Sequence, residues 1–247
     1  MTASVIGAFG RRVPEYLTGR PDYPDALLSD LPSASVTVDL GAGTGKFTRL
    51  LARTGVRIIA VEPQTAMAAY IPTEPNIQVV AGTAEQMPLA TASADLICCA
   101  TAFHWFDYAK ATAEILRVLK SGAHLALIWN VRDARIPWVV DVNRLLDAHA
   151  SEAHRYGTGH WRTILSDARF DGLRTSEYPF AHRMPIGGIV DRVLSTSFIA
   201  ALPQGQQEAI RQRVLDIIAA NPELSGAREI EFPYIAKSYL LRSRQGP

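Results

Sequence analysis

Short apolar runs alternate with amphipathic stretches through the first half of the chain. Residues 36–40 (VTVDL), 56–61 (VRIIAV), 77–80 (IQVV), 94–100 (ADLICCA) and 123–129 (AHLALIW) read as strands. Between them, residues 46–54 (KFTRLLART) place Phe47, Leu50 and Leu51 on one helical face. Pro63 suits the first turn of a helix running to about Tyr70. Asp107 is placed to N-cap a helix through Leu119, with Ala111, Ile115, Val118 and Leu119 inward and Gly122 as its stop. Strands that alternate with helices require crossover connections and therefore a parallel sheet. The strands are nearly continuous apolar runs, as expected where helices cover both faces.

The pattern changes after residue 130. Residues 138–149 predict a helix with Val139, Val142, Leu145 and Leu146 on one face. Residues 174–182 (RTSEYPFAH) predict a strand broken by Pro179, and 228–241 a last strand. Residues 187–200 and 206–220 predict helices, the second with Ile210, Val214, Ile217 and Ile218 inward. The expected fold is α/β, doubly wound and mostly parallel, with a helical insertion at about 185–225 between the last two strands. No repeat or linker divides the chain, so one domain is expected over 1–247. It comprises a cap at about 1–32, a core at about 33–135 and a substrate-side lid region at about 136–247.

Composition narrows the function classes. Of 247 residues, 48% are apolar and 20% charged, too apolar for disorder and too charged for a membrane protein. The formal net charge of +1 leaves no electrostatic footprint for nucleic acid or an anionic membrane. No stretch approaches the roughly 20 apolar residues that span a bilayer. In MTASVIGAFGRR the charges follow the apolar part, the wrong order for a secretory signal. The two cysteines, Cys98 and Cys99, are adjacent, which gives neither a disulfide framework nor metal-ligand spacing. A cytoplasmic location is the resulting expectation. His149, His154, His160 and His182 show no zinc spacing with a third ligand, so no metal is expected.

The strongest local signal is Asp39-Leu-Gly41-Ala-Gly43-Thr-Gly45, directly after a strand and opening a helix. Glycines there let the backbone approach a ligand, and the helix start offers N–H groups. A dinucleotide fingerprint would put its third glycine at position 46, which is Lys46. Glu62 ends the second strand, where a carboxylate accepts two ribose hydroxyls; the alternative is a solvated strand-end charge. Ala84-Glu85 follow the third strand, where an adenine edge would lie; the alternative is an acid at a helix start. Ala100-Thr101-Ala102 end the fourth strand. Each alternative is reasonable alone, but the ordered arrival of these residues after consecutive strands favours a ligand at the carboxyl edge of the sheet.

At these residues the sequence resembles the class I S-adenosylmethionine-dependent methyltransferases, in particular the small-molecule group with a UbiE/trans-aconitate-type core. The matching segments are VDLGAGTGKFT (38–48), AVEP (60–63), GTAEQMPL (82–89), ADLICCATAFHWFD (94–107) and LRVLKSGAHLALIWN (116–130). YLTGRPDYPDALL (16–28) and VLSTSF (193–198) extend the likeness, and FHWF is shared by a bacterial and fungal subgroup. The resemblance implies a Rossmann-like seven-stranded fold, S-adenosylmethionine as cofactor and a small-molecule acceptor. By position, it implies that Gly41, Gly43 and Gly45 line the methionine and ribose portion, with Asp39 nearby. Glu62, followed by Pro63, would bind the ribose, Ala84 and Glu85 the adenine, and Ala100 would lie under the sulfonium. Tyr16 and Arg20 would lid the site, with cationic Arg20 facing the methionine carboxylate.

Methyl transfer from a sulfonium is an in-line displacement, so the protein mainly positions the reactants and excludes water. The acceptor is expected to be a carboxylate or a hydroxyl oxygen. A hydroxyl would need a base, and His104 beside Trp105 is the candidate; the other reading gives His104 and Trp105 a positioning role in the site wall. Tyr156, Trp161, Phe180 and Phe198 either line an acceptor pocket or pack the insertion. The competing functions are a non-catalytic S-adenosylmethionine-binding domain and a nicotinamide-dependent oxidoreductase.

Overall fold

The computed structural model describes Leu17, residues 19–150 and residues 156–244, Ser197 by its backbone alone. The parallel part of the sheet holds β1 (Val36–Leu40), β2 (Arg57–Val61), β3 (Ile77–Val80), β4 (Ala94–Ala100) and β5 (Leu119–Arg132). The helices joining them are α1 (Lys46–Ala52), α2 (Thr65–Ala68) and α3 (Tyr108–Val118). Then come α4 (Pro137–Asp147), β6 (Phe170–Pro185), α5 (Gly188–Leu194), α6 (Ser197–Ala200), α7 (Gln204–Ala220) and β7 (Glu229–Ser243). The seven strands lie in the order β3-β2-β1-β4-β5-β7-β6, with β7 antiparallel to both neighbours.

The expected alternation is therefore present, and the helical insertion stands between the last two strands. Several local readings change. Pro63 precedes α2, which begins only at Thr65. Gly122 is not the stop of α3: the chain passes from Val118 straight into β5, and Gly122 lies in a register shift between Leu119 and His124. Asp107 does cap α3, accepting from the Lys110 N–H. The strand around Pro179 is unbroken, because β6 is an edge strand bonded to β7 alone. An edge tolerates a missing N–H on its open side. The helix expected over 187–200 is two, divided at Ser195-Thr196.

Two hydrophobic clusters sandwich the central strands. One gathers Val38, Leu40, Ile97, Ile115, Leu125 and Leu127, the other Phe47, Leu51, Ile58, Leu96, Ala126 and Ile128. The alternation of neighbouring residues between the clusters is the period-2 pleat, buried on both faces. A third cluster joins α4 to the insertion and the start of β7 through Trp138, Val142, Val193, Ile210, Val214 and Phe232. The insertion is thus packed on its own apolar base beside β5. β1 connects onward toward β2 and β3, whereas its other neighbour β4 leads to β5. The crevice between β1 and β4 is a topological switch point, where ligands of open α/β sheets bind.

Candidate active site

A cavity of about 550 Å³ opens over the carboxyl ends of β1 through β5. Gly41 and Gly43 follow β1, Glu62 and Pro63 follow β2, Ala84 and Glu85 follow β3, and His104 and Trp105 follow β4; all line it. A smaller cavity shares Arg20, Gly41, Gly43, Thr101, Asn130 and Arg192 with it, and adds Asp39 and Ala100. The sheet thus gathers nearly every sequence-predicted residue along one edge. Gly45 is set back: it caps α1 and packs against Ile71 and Pro72 instead of lining either cavity. Tyr16 lies outside the described residues.

The glycine loop is shaped for close approach. Gly41 has φ +73°, and a Cβ there would fall 2.8 Å from the Ala102 methyl group. Gly43 has φ +58° and faces the cavity, so a side chain there would occupy ligand space. Glu62 holds the loop. One of its oxygens accepts from the Gly43 N–H at 2.9 Å and the other from the Gln64 N–H at 2.9 Å. The side chain is buried, which rules out the solvated strand-end reading. Burial raises its pKa, and the two backbone bonds oppose that shift. Each oxygen retains capacity for another donor. Glu85 accepts from the Asp107 N–H at 3.0 Å, which ties the loop after β3 to the start of α3.

Asp39 is fully buried. Its Oδ2 accepts from the Thr48 hydroxyl at 2.6 Å, and its Oδ1 has no hydrogen-bond partner among the described residues. Desolvation raises its pKa to about 7; the Thr48 bond opposes this and the charge of Glu62 adds to it. A buried carboxylate oxygen without a donor, beside a cradle of glycines, is suited to a cation. A ligand carrying an ammonium group at one end and a ribose at the other fits Asp39 and Glu62 together.

The wall after β4 is strained and aromatic. Thr101 has φ +56°, an outlier for a β-branched residue, of order 1–3 kcal/mol. Its N–H donates to the Ile128 carbonyl at 2.7 Å, and its hydroxyl bonds the Tyr23 hydroxyl at 2.9 Å. His104 is buried beneath Trp105, and its Nδ1 accepts from the Trp129 indole N–H at 3.1 Å. An indole nitrogen only donates, so Nδ1 bears a lone pair and the neutral ring carries its proton on Nε2. In that tautomer the one ring lone pair is engaged by the Trp129 N–H.

The rest of the cavity wall comes from segments far apart in the chain. Tyr156 and Phe198 line the cavity, as does Trp129. Trp161 is buried behind them, stacked on Tyr156, and Phe180 packs on Tyr234 away from the cavity. Sequence reading missed Trp129, Asn130, Arg132, Asn143 and Arg192, which also line the cavity. The first three stand at the carboxyl end of the apolar fifth strand, a position that could have marked them. Nothing local marks Asn143 or Arg192.

The comparisons agree with this geometry. A family described as a methyltransferase domain matches residues 38–127, which run from β1 into β5. An uncharacterized methyltransferase-like protein of Schizosaccharomyces pombe is 33% identical over 239 residues, 93% of each chain. An uncharacterized methyltransferase of Mycobacterium tuberculosis is 32% identical over 231 residues, 92% of each. A solved structure from Anaeromyxobacter dehalogenans, provisionally assigned as a type II methyltransferase, superimposes with a TM-score of 0.69 at 24% identity, covering 92% of this chain and 97% of that one. That likeness concerns the fold. The chain belongs to the class I S-adenosylmethionine-dependent methyltransferases. The nicotinamide alternative gives way accordingly. No helix among the described residues is long and apolar enough to cross a membrane.

Proposed function

We propose that the protein transfers a methyl group to a carboxylate oxygen of a small-molecule acceptor. The observation that carries this choice over a hydroxyl is the Trp129–His104 hydrogen bond, which occupies the ring lone pair that general-base work would need. A carboxylate is already deprotonated at neutral pH and needs no base. S-adenosylmethionine would supply an activated methyl group, the carbon–sulfur electron pair staying on sulfur as the acceptor oxygen bonds to carbon.

The chain's own residues bind, orient and exclude water. Glu62 would receive the ribose hydroxyls, and Ala84 with Glu85 would border the adenine. The buried Asp39 carboxylate, beneath the glycine loop, would set a negative charge toward the α-ammonium, and Arg20 would meet the methionine carboxylate. Trp105, Trp129, Tyr156 and Phe198 supply an apolar wall that keeps water from the transfer. His104 acts by position, fixed between Trp105 and Trp129.

The test is release of S-adenosylhomocysteine with radiolabelled methyl donor against a panel of carboxylic acids, phenols and alcohols. The expected product is a methyl ester, recognised because dilute alkali releases its label as methanol. Alkali-stable label on a phenol or alcohol would overturn the carboxylate reading.

A further inference from the structure

The acceptor end of the cavity holds two guanidinium groups with no carboxylate of their own. Arg132 ends β5, opposite Tyr234 on β7. Tyr234 is buried, and its hydroxyl accepts from Arg192 Nε at 2.9 Å, which brings Arg192 of α5 to the end of β5. The remaining printed bonds are to neutral groups: Arg132 Nε to Asn143 Oδ1, and Arg192 Nη1 to Thr196 Oγ1 at 3.4 Å. Among the described residues, neither arginine has a carboxylate within 4 Å. Asp147 lines the same wall but stands beyond that distance.

Each guanidinium presents five N–H donors. Both terminal nitrogens of Arg132 and Nη2 of Arg192 are without a partner among the described residues, and none is fully enclosed. Both side chains line the cavity. Arg192 is itself 95% buried, at 5% exposure. Burial, then the like charges of Arg192 and Arg20, lowers the Arg132 pKa to about 9 against the opposing influence of Tyr234 and the more distant Asp147, so the group is still charged at neutral pH. Two desolvated like charges side by side are unfavourable unless an anion joins them. Glu62 and Glu85 cannot serve: β2 and β3 lie three and four strand positions from β5 in the sheet, about 14 and 19 Å. The cofactor does not balance the charge either, since its ammonium and sulfonium outnumber its one carboxylate.

We propose that Arg132 and Arg192 form an anion subsite that receives the carboxylate of the acceptor, with its apolar body laid against Trp105, Trp129, Tyr156 and Phe198. The acceptor class is a small amphipathic carboxylic acid. This rests on the methyltransferase reading of the same cavity. It also has a consequence for turnover: a methyl ester has lost the charge that the pair recognises, so product is held more weakly than substrate.

The experiment is calorimetry on the full chain saturated with S-adenosylhomocysteine, titrated with phenylacetate, octanoate, phenylacetamide, methyl phenylacetate and phenyl phosphate. At least one acid is expected to bind, while the amide and the ester bind at least tenfold more weakly. Arg132→Gln is expected to weaken the acid about thirtyfold or more and to leave S-adenosylhomocysteine affinity within a few-fold. Arg192→Lys keeps the charge but not the fork, and guards against misfolding of harsher variants; it too weakens the acid, with a melting curve like that of the wild type. Failure of S-adenosylhomocysteine to bind would overturn the cofactor reading. With that binding intact, the subsite is overturned by equal binding of acid and amide, by no acid binding at millimolar levels, by tighter binding of phenyl phosphate, or by unchanged acid affinity in both folded variants. An acid that binds as expected but is never methylated upholds the subsite and sinks the proposed reaction instead.

Discussion

Replacing Glu62 by glutamine tests the cofactor end most directly. The carboxylate makes two bonds at 2.9 Å, to the N–H groups of Gly43 and Gln64, and both donors are backbone that cannot turn away. Glutamine has one carbonyl oxygen. Its amide group must face one of those N–H donors, so one charge-assisted bond is lost and a donor is left against a donor. Bonds to charged groups contribute roughly 1.5–3 kcal/mol. The same substitution removes an acceptor for one ribose hydroxyl. If the ribose term alone is felt in binding, affinity for S-adenosylhomocysteine falls about ten- to a hundredfold, at 1.4 kcal/mol per decade. Glu62→Ala removes both acceptors and lowers affinity further. The assay is calorimetry with S-adenosylhomocysteine and, in parallel, with adenosine, which retains the ribose but no methionine; both should weaken by the same factor. Thermal melts control for the loop, whose lost bond lowers stability as well. Acidification provides an independent check. Burial raises the Glu62 pKa, so wild-type affinity should begin to fall at a pH above the ordinary glutamate range as the carboxylate takes up its proton. A folded Glu62→Gln protein that binds both ligands within twofold of wild type would refute the assignment.

Two further outcomes follow from the same geometry. Asp39 has a folded pKa of about 7 against 3.8 for an ordinary aspartate, so the ligand-free protein is stabilised by its protonation below pH 4 and loses that contribution as pH rises through 7; a bound ammonium favours the carboxylate, so S-adenosylhomocysteine affinity should rise from pH 6 to 8, and Asp39→Asn should flatten the rise. For whichever acid is methylated, His104→Gln should keep kcat within about tenfold, 1.4 kcal/mol of barrier, with no limb near the reference histidine pKa of about 6.5; a hundredfold loss in the folded variant, with disappearance of such a limb, would restore His104 as the base.

Local chemistry decided what could be read from the sequence. The order of strands and helices follows from residue periodicity, and the loop at Asp39–Gly45 follows from backbone freedom that only glycine supplies. Glu62, Ala84 and Glu85 each directly follow a strand, so a parallel sheet brings them to one edge without further information. Sheet order lay outside that reach. Pro179 looks like a break until β6 is seen to be an edge with one bonded side. Gly45 looks like a ligand contact until Ile71 and Pro72 are found against it. Whether His104 has a free ring nitrogen depends on Trp129, from the neighbouring strand, which donates to its Nδ1. Arg132 and Arg192 are ordinary charges in sequence. They meet because β7 folds back antiparallel on β5, setting Tyr234 opposite Arg132, with its hydroxyl on Arg192. Periodicity and turn chemistry act over a few residues, so the sequence by itself determined the cofactor edge of this protein. Charge pairing and burial depend on which distant segments share a low-dielectric wall, so only the tertiary structure decided that Arg132 and Arg192 share one end of the cavity.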